Sequence, residues 1–214
     1  MATIVDRDGV VCAVAFSGGN RRAQWPGSRV IFAQKANTAN AFSLDSSSSA
    51  MAMVNPRVWP FLPRTYSAQF NPGGACLALQ ESNPVDTSSA YGGNSSSYGA
   101  ANDPMVGTKV GGVNVFGGGL GLYTGTRVKH LVGGLGVSGD TSCADHMIAW
   151  RVRANLDLDH LEGVGGVSSD SDRPDNIVYD IKENPQGGAG KSVGGFGHPT
   201  CINTGDPASL PAVQ

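Results

Sequence analysis

Charged side chains are scarce in this sequence. Asp, Glu, Lys and Arg together make up 15% of the 214 residues, and the formal net charge is −2. Because nucleic-acid binding needs clusters of Lys and Arg against the phosphates, no nucleic-acid partner is expected. No apolar run reaches the roughly 18 residues that a membrane-spanning helix needs, so no membrane span is expected either. A weakly charged surface instead favours packing between subunits.

Cysteine is also sparse, and none of the four residues Cys12, Cys76, Cys143 and Cys201 belongs to a C-x-x-C pair. This spacing argues against a zinc site, and the lack of a C-x-x-C-H motif excludes covalent attachment of a c-type haem. We expect at least one disulfide, which joins Cys201 to either Cys143 or Cys76. Four buried free thiols are the alternative.

Ser, Thr, Asn and Gly are abundant while Lys is rare, a composition that predicts an extracellular or periplasmic protein, with a cytoplasmic location as the alternative. The chain begins MATIVDRDGVV, which lacks the basic region of a signal peptide and carries Asp6 and Asp8. Met1 is therefore expected either to begin the folded structure or to follow residues missing upstream.

Hydrophobic patterning predicts the main elements of the first two thirds of the chain. Two β-rich runs joined by an Asp-Gly turn predict a hairpin over residues 2–17. Residues 28–43 are typical of a helix with Ser28 as N-cap and a face of small residues that can pack closely on a sheet. Apolar residues over 110–138 predict two or three more strands, in which clustered glycines permit bulges and close backbone approach.

The remaining segments are less regular. A further helix should follow, capped by Asp140 or Thr141, while 82–107 is predicted to be a long surface loop. Residues 157–214 show almost no periodicity and predict an extended tail, appended to a domain spanning 1–156. Such a tail gains stability only on an existing surface of its own or a neighbouring subunit. Its expected anchors are Ile177, Val178, Tyr179, Phe196, Ile202 and Leu210.

Two catalytic-looking motifs are incomplete. Residues 187–192 resemble a phosphate-binding loop, but Pro185 occupies a position where the pattern needs glycine. Residues 136–140 resemble a nucleophile elbow around Ser138, but Asp140 replaces the last glycine. No catalytic triad can be assembled, so an enzyme is the less favoured interpretation.

Three segments in a fixed order carry a more specific signal: VDRDG at 5–9, KANTA at 35–39 and GGLGVSGDTSCADHMIAW at 133–150. In order and spacing they resemble the signatures of the GlcG/HbpS-like haem-binding family, over roughly residues 2–155. The chain departs from the family pattern in four ways. It has no long helix before the first strand, and the family's usual Arg-Met-Asp-Gly stretch after the second strand is replaced by residues 17–22. Its loop over 45–107 is longer than usual, and the tail is additional.

The resemblance implies an α+β fold, with an antiparallel sheet of about five strands and helices on one face. It also implies haem as the cofactor, with cofactor-binding residues Lys35, Thr38, Gly136, Ser138, Asp145 and His146. The N-terminus of the helix at 141–145 would suit one haem propionate and Lys35 the other. A salt bridge between Lys35 and Asp145 is the alternative. His146 or His198 would bind the iron axially.

The leading functional interpretation is haem or related small-ligand binding by a homo-oligomer. One alternative is an exported structural protein that assembles into a large array or filament, which low charge and the long tail favour. Another is an enzyme acting on a small organic acid, since relatives of this family are associated with such metabolism.

Overall fold

The structure is a computed structural model that describes residues 1–46 and 83–164. It also describes several shorter stretches of the C-terminal part: 166, 168–182, 184–187, 190, 192–193, 197–202 and 205–214. The predictions that concern residues 47–82, including Cys76, and the predicted anchor Phe196 lie outside the described residues. Within them, no helix is long and apolar enough to cross a membrane.

The described elements form an antiparallel sheet flanked by helices. They are β1 (Ala2–Asp6), β2 (Val11–Ala15), α1 (Ser28–Phe42), α2 (Thr87–Tyr91), β3 (Gly119–Thr124), β4 (His130–Val137) and α3 (Ser142–Asn155). The strand order is β2-β1-β4-β3, and all three pairings are antiparallel. The predicted α+β class is confirmed, with four strands in the described residues instead of about five.

The hairpin and both long helices form where the sequence predicts them. In the hairpin turn, the Asp6 carboxylate accepts the N–H groups of Asp8 and Val10 at 2.9 Å, and Gly9 adopts a φ of 76°. Thr141 caps α3 by accepting the Ala144 N–H. Ser28 is not the N-cap of α1. It is the first helical residue, and its hydroxyl donates to the Trp25 carbonyl.

The two long helices lie on opposite faces of the sheet, whereas the sequence predicts helices on one face. Val5 packs in one apolar cluster with Phe32 and Ala36 of α1. Its neighbour Ile4, which points the other way, packs in a second cluster with Trp150 of α3. Because alternate residues of a strand face opposite sides, both faces of the sheet are buried.

Glycines of β4 determine how closely α1 approaches the sheet. A Cβ atom added to Gly134 would lie 2.1 Å from the carbonyl oxygen of Ala36, and one added to Gly136 would lie 1.9 Å from that of Phe32. The helix backbone therefore rests directly on the strand backbone. Because β4 offers glycines to α1, its sequence pattern does not show which face of the sheet this helix covers.

The chain beyond α3 packs onto the other face. Ile177 and Leu210 are almost fully buried in the cluster that contains Trp150, whereas the predicted anchor Ile202 is fully exposed. A disulfide joins Cys143 to Cys201, which confirms one of the two predicted pairings.

A buried ion pair reinforces this packing. Arg153 of α3 donates to both carboxylate oxygens of Asp175 at 2.6 and 2.8 Å, and neither side chain is exposed. The segment after α3 thus contributes both apolar and charged groups to the α3 face.

Residues 82–107, predicted to be a surface loop, contain α2 and a buried ion pair. Arg29 of α1 donates to both oxygens of Asp103, at 2.5 and 2.8 Å, and its guanidinium lies 3.5 Å from the centre of the Tyr98 ring. Asp103 also accepts the N–H groups of Gly99 and Met105. The pair fastens this segment to the start of α1.

Replacing Gly136 with alanine should destabilise the fold, because the new methyl group would collide with the α1 backbone. We expect a loss of about 2 kcal/mol in the free energy of unfolding, as for other overpacked cores. Urea denaturation measures it. Gly19→Ala is the matched control, since nothing lies within 4 Å of a Cβ atom at that position. Equal stabilities of the two variants would contradict the close helix–sheet contact.

Asp103→Asn should cost about 3–5 kcal/mol at neutral pH, because it leaves the buried Arg29 without a counter-charge. Burial acts to raise the pKa of Asp103, but the hydrogen bonds from Arg29, Gly99 and Met105 outweigh it and lower the pKa below the usual value of 3.8. A lowered pKa stabilises the fold above about pH 4, and this stabilisation is lost as the pH falls further.

The free energy of unfolding of wild type and Asp103→Asn, measured from pH 7 to pH 3, should therefore converge at the acidic end. Asp8→Asn is the control, because Asp8 is exposed in a turn that accepts either residue. A difference that stays constant down to pH 3 would show that the Asp103 charge does not stabilise the fold.

Candidate functional site

A cleft of about 350 Å³ opens at one end of the sheet. Ala2 of β1 pairs with both Ala15 of β2 and Val137 of β4, so the start of one strand and the ends of the other two meet there. The chain that follows β2 and the start of α3 form the walls. The cleft lies next to the N-terminal turn of α3.

Aromatic side chains line the cleft and its extension. Phe16 and Trp25 line the main cavity together with Ile148 of α3. A smaller cavity of about 50 Å³ shares Phe16 and Trp25 and adds Tyr91 and Tyr98. Trp25 is 61% exposed, which is unusual for a tryptophan and leaves a large flat apolar surface open to a ligand.

An exposed arginine lies beside this aromatic row. Arg22 lines a shallow surface together with Gln24 and Pro26, two residues that also border the aromatic cavities. None of the ion pairs in the described part of the chain involves Arg22. Its guanidinium is thus available to an anionic group of a ligand.

Lys35 and Asp145 form a buried ion pair at the base of the cleft. Lys35 Nζ donates to Asp145 Oδ2 and to the Val137 carbonyl, both at 2.9 Å. Burial lowers the pKa of Lys35 and raises that of Asp145, while the direct contact favours the charged form of each. We assign the ion pair, because Nζ lies at hydrogen-bonding distance from two acceptors. Asp145 lines the cleft, whereas Lys35 lies behind it.

Of the other predicted cofactor-binding residues, only Ser138 lines the cleft. Thr38 is buried, where its hydroxyl donates to the Gln34 carbonyl and accepts the N–H of Asn114. Gly136 lies under α1. Of the three signature-like segments, 35–39 and 133–150 meet near this end of the sheet, whereas 5–9 forms the hairpin turn at the opposite end of β1. Several of their residues support the fold and have no access to the cleft.

The two predicted iron ligands lie on the α3 face instead. His146 is fully buried 6.1 Å from the Trp150 ring, and burial lowers its pKa to about 4. His198 is almost fully buried beside Cys143, and burial lowers its pKa as well. Neither histidine lines the cleft, so the structure does not bring them to a ligand bound there.

The sequence interpretation missed the aromatic row and Arg22. Phe16, Arg22 and Trp25 fall in a Gly- and Ser-containing stretch between the hairpin and α1, which has no periodic pattern. An exposed tryptophan cannot be told from a buried one by residue type alone.

Comparison with known proteins now identifies the chain. The family model described as haem degrading protein HbpS-like matches residues 1–153, a range that includes every residue lining the two aromatic cavities. No curated protein and no solved structure gives a significant match. Because the family model covers more than half of the chain, the chain belongs to the HbpS-like family.

Proposed function

We propose that the protein binds haem, or a closely related flat aromatic ligand, in the cleft and works as a homo-oligomer. The observation that carries this proposal is the set of four aromatic side chains that line the cleft and the smaller cavity beside it. They are Phe16, Trp25, Tyr91 and Tyr98, and Trp25 is 61% exposed. Membership in a family of haem-degrading proteins supports haem as the ligand.

The chemistry of the cleft suits the organic part of haem. A porphyrin ring is flat and apolar, so it can stack on Trp25 and Phe16 and pack on Ile148. Its two propionates need positive charge, which Arg22 offers at the side of the aromatic row. Asp140, which also lines the main cavity, repels carboxylates, whereas the charge of Asp145 is balanced by Lys35. The ligand therefore binds with its propionates towards Arg22, and not at the N-terminus of α3.

The iron receives no histidine from this cleft, since none of the residues that line it is a histidine. Binding then depends on stacking and on charge at the rim. Haem in this arrangement is a substrate or cargo held by its organic part, and the contribution of the protein is to hold and orient the ring.

Cleft size and surface favour an oligomer. Small-ligand pockets span about 300–1,000 Å³, and a cleft of about 350 Å³ leaves part of a macrocycle outside it. Trp25 and Ile148, respectively 61% and 48% exposed, stand at its mouth. A second copy would cover the uncovered part of the ring. The Cys143–Cys201 disulfide supports an extracellular or periplasmic location, because such bonds persist in oxidising compartments.

Trp25→Ala should weaken haem binding at least tenfold by removing the largest stacking surface, a change of about 1.4 kcal/mol. Arg22→Gln should weaken it severalfold by removing the partner of the propionates. Titration followed by the Soret band and by tryptophan fluorescence measures both, and wild type should show saturable binding. Leu156→Ala and Arg127→Gln are the matched controls, since both side chains are exposed away from the cleft.

Metal-free protoporphyrin should bind wild type within about fivefold of haem, because no histidine of the cleft binds the iron. The opposite outcome is that haem binds much more than fivefold more tightly than metal-free protoporphyrin, with the difference abolished by His146→Ala or His198→Ala. That result would show that a histidine binds the iron, as the sequence predicts, and would contradict the assignment of the ligand to the cleft. Failure of both porphyrins to bind, with very large particles in light scattering, would favour the structural-array alternative.

A further inference from the structure

Sulfur and nitrogen side chains gather on the α3 side of the sheet, away from the cleft. Cys143, His198 and Cys201 each place one metal-ligating atom so that the three lie within 4.8 Å of one another. Cys143 Sγ is 3.8 Å from His198 Nδ1. Cys143 and His198 are almost fully buried, and Cys201 is half-buried and joined to Cys143 by the disulfide.

A fourth residue of the right chemistry lies one turn along α3 from Cys143 and outside the three-residue cluster. His146 follows Cys143 by three residues, and residues three apart lie on the same side of a helix. It is fully buried, and neither ring nitrogen has a hydrogen-bond partner in the described part of the chain. A buried polar group without a partner is costly and rare, so its retention here needs a reason.

The spacing of the four residues is symmetric. Cys143-Ala-Asp-His146 opens α3, and His198-Pro-Thr-Cys201 belongs to the segment that crosses it, so each segment supplies a cysteine and a histidine separated by two residues. Structural zinc sites use two ligands at such short spacing from each of two segments. The absence of a C-x-x-C pair conceals this pattern in the sequence.

We propose that these residues form a metal site which is exposed by reduction of the Cys143–Cys201 disulfide. The two thiolates and His198 bind a thiophilic cation of the zinc class, and His146 supplies the fourth ligand. Thiolate and imidazole are the donors that such cations prefer, and a tetrahedron of them needs donor separations of roughly 3.5–3.8 Å.

The chemistry balances with a thiol or phosphine reductant. Two electrons from the reductant cleave the S–S bond. The two protons of the resulting thiols come from the reductant itself if it is a thiol, or from the water whose oxygen is transferred to the phosphine. The cation then binds both thiolates and releases the two protons to solvent. The Pro199 carbonyl, 2.6 Å from His198 Nδ1, can accept a hydrogen bond from that nitrogen, which favours the neutral tautomer whose Nε2 carries the lone pair for the metal.

The disulfide and the metal are thus alternative cross-links between α3 and the C-terminal segment. Either one holds residue 201 against the start of α3. The metal-bound state preserves the connection under reducing conditions, in which the disulfide alone would be lost. This inference concerns the face opposite α1 and does not depend on haem binding at the cleft.

The test is zinc binding by the full chain before and after reduction with a phosphine, measured by competition with a chromophoric chelator. We expect the reduced protein to bind one zinc ion at least 100-fold more tightly than the oxidised protein. Cobalt(II) in place of zinc should give the intense absorption of a tetrahedral thiolate complex. Zinc should also raise the melting temperature of the reduced protein, which shows binding to the folded chain.

Cys143→Ser and His198→Ala should each weaken zinc binding at least 100-fold, and His146→Gln at least tenfold. Cys12→Ser is the matched control and should leave binding within twofold, since Cys12 is exposed and unpaired. The proposal is overturned if reduced wild type binds zinc no more tightly than oxidised wild type. It is equally overturned if zinc leaves the melting temperature unchanged or if Cys143→Ser binds as wild type does.

Discussion

The close contact between α1 and the glycines of β4 is the constraint on which the rest of the structure depends. At Gly134 and Gly136 the helix backbone replaces side chains as the covering of the sheet. This short separation lets Lys35 of α1 reach Asp145, although the two residues belong to helices on opposite faces. The ion pair and the contact to the Val137 carbonyl then fix where β4 ends and α3 begins, which is the floor of the cleft.

Buried ion pairs connect the long helices to segments that contain little regular secondary structure. Arg29 and Asp103 join α1 to the segment that follows α2, and Arg153 and Asp175 join α3 to the C-terminal segment. Both are bidentate pairs in which all the charge is shielded from solvent. Pairs of this kind add little net stability compared with apolar packing, but they strongly penalise any arrangement that separates the partners. The two pairs thereby specify where the segments that follow α2 and α3 pack against the long helices.

Local sequence signals predicted much of the secondary structure, whereas the packing of distant segments against each other was harder to predict. The Asp-Gly turn and Thr141 fixed the hairpin and the start of α3, because turns and caps depend on neighbouring residues alone. The opposite placement of the helices was missed, since a glycine face carries no apolar pattern. Of the residues selected from the sequence, Ser138 and Asp145 line the candidate cleft, whereas Trp25, which also lines it, gave no periodic signal and was not selected.

The Cys143–Cys201 disulfide spans 58 residues, and Asp175 lies within the loop that it closes. A protease that cuts an exposed stretch of this loop would therefore leave the two pieces covalently joined. For a cut beyond Asp175, the buried Arg153–Asp175 pair would hold the N-terminal side of the cut against α3, and the disulfide would hold the C-terminal side. A single cleavage in this irregular segment would then not release a fragment.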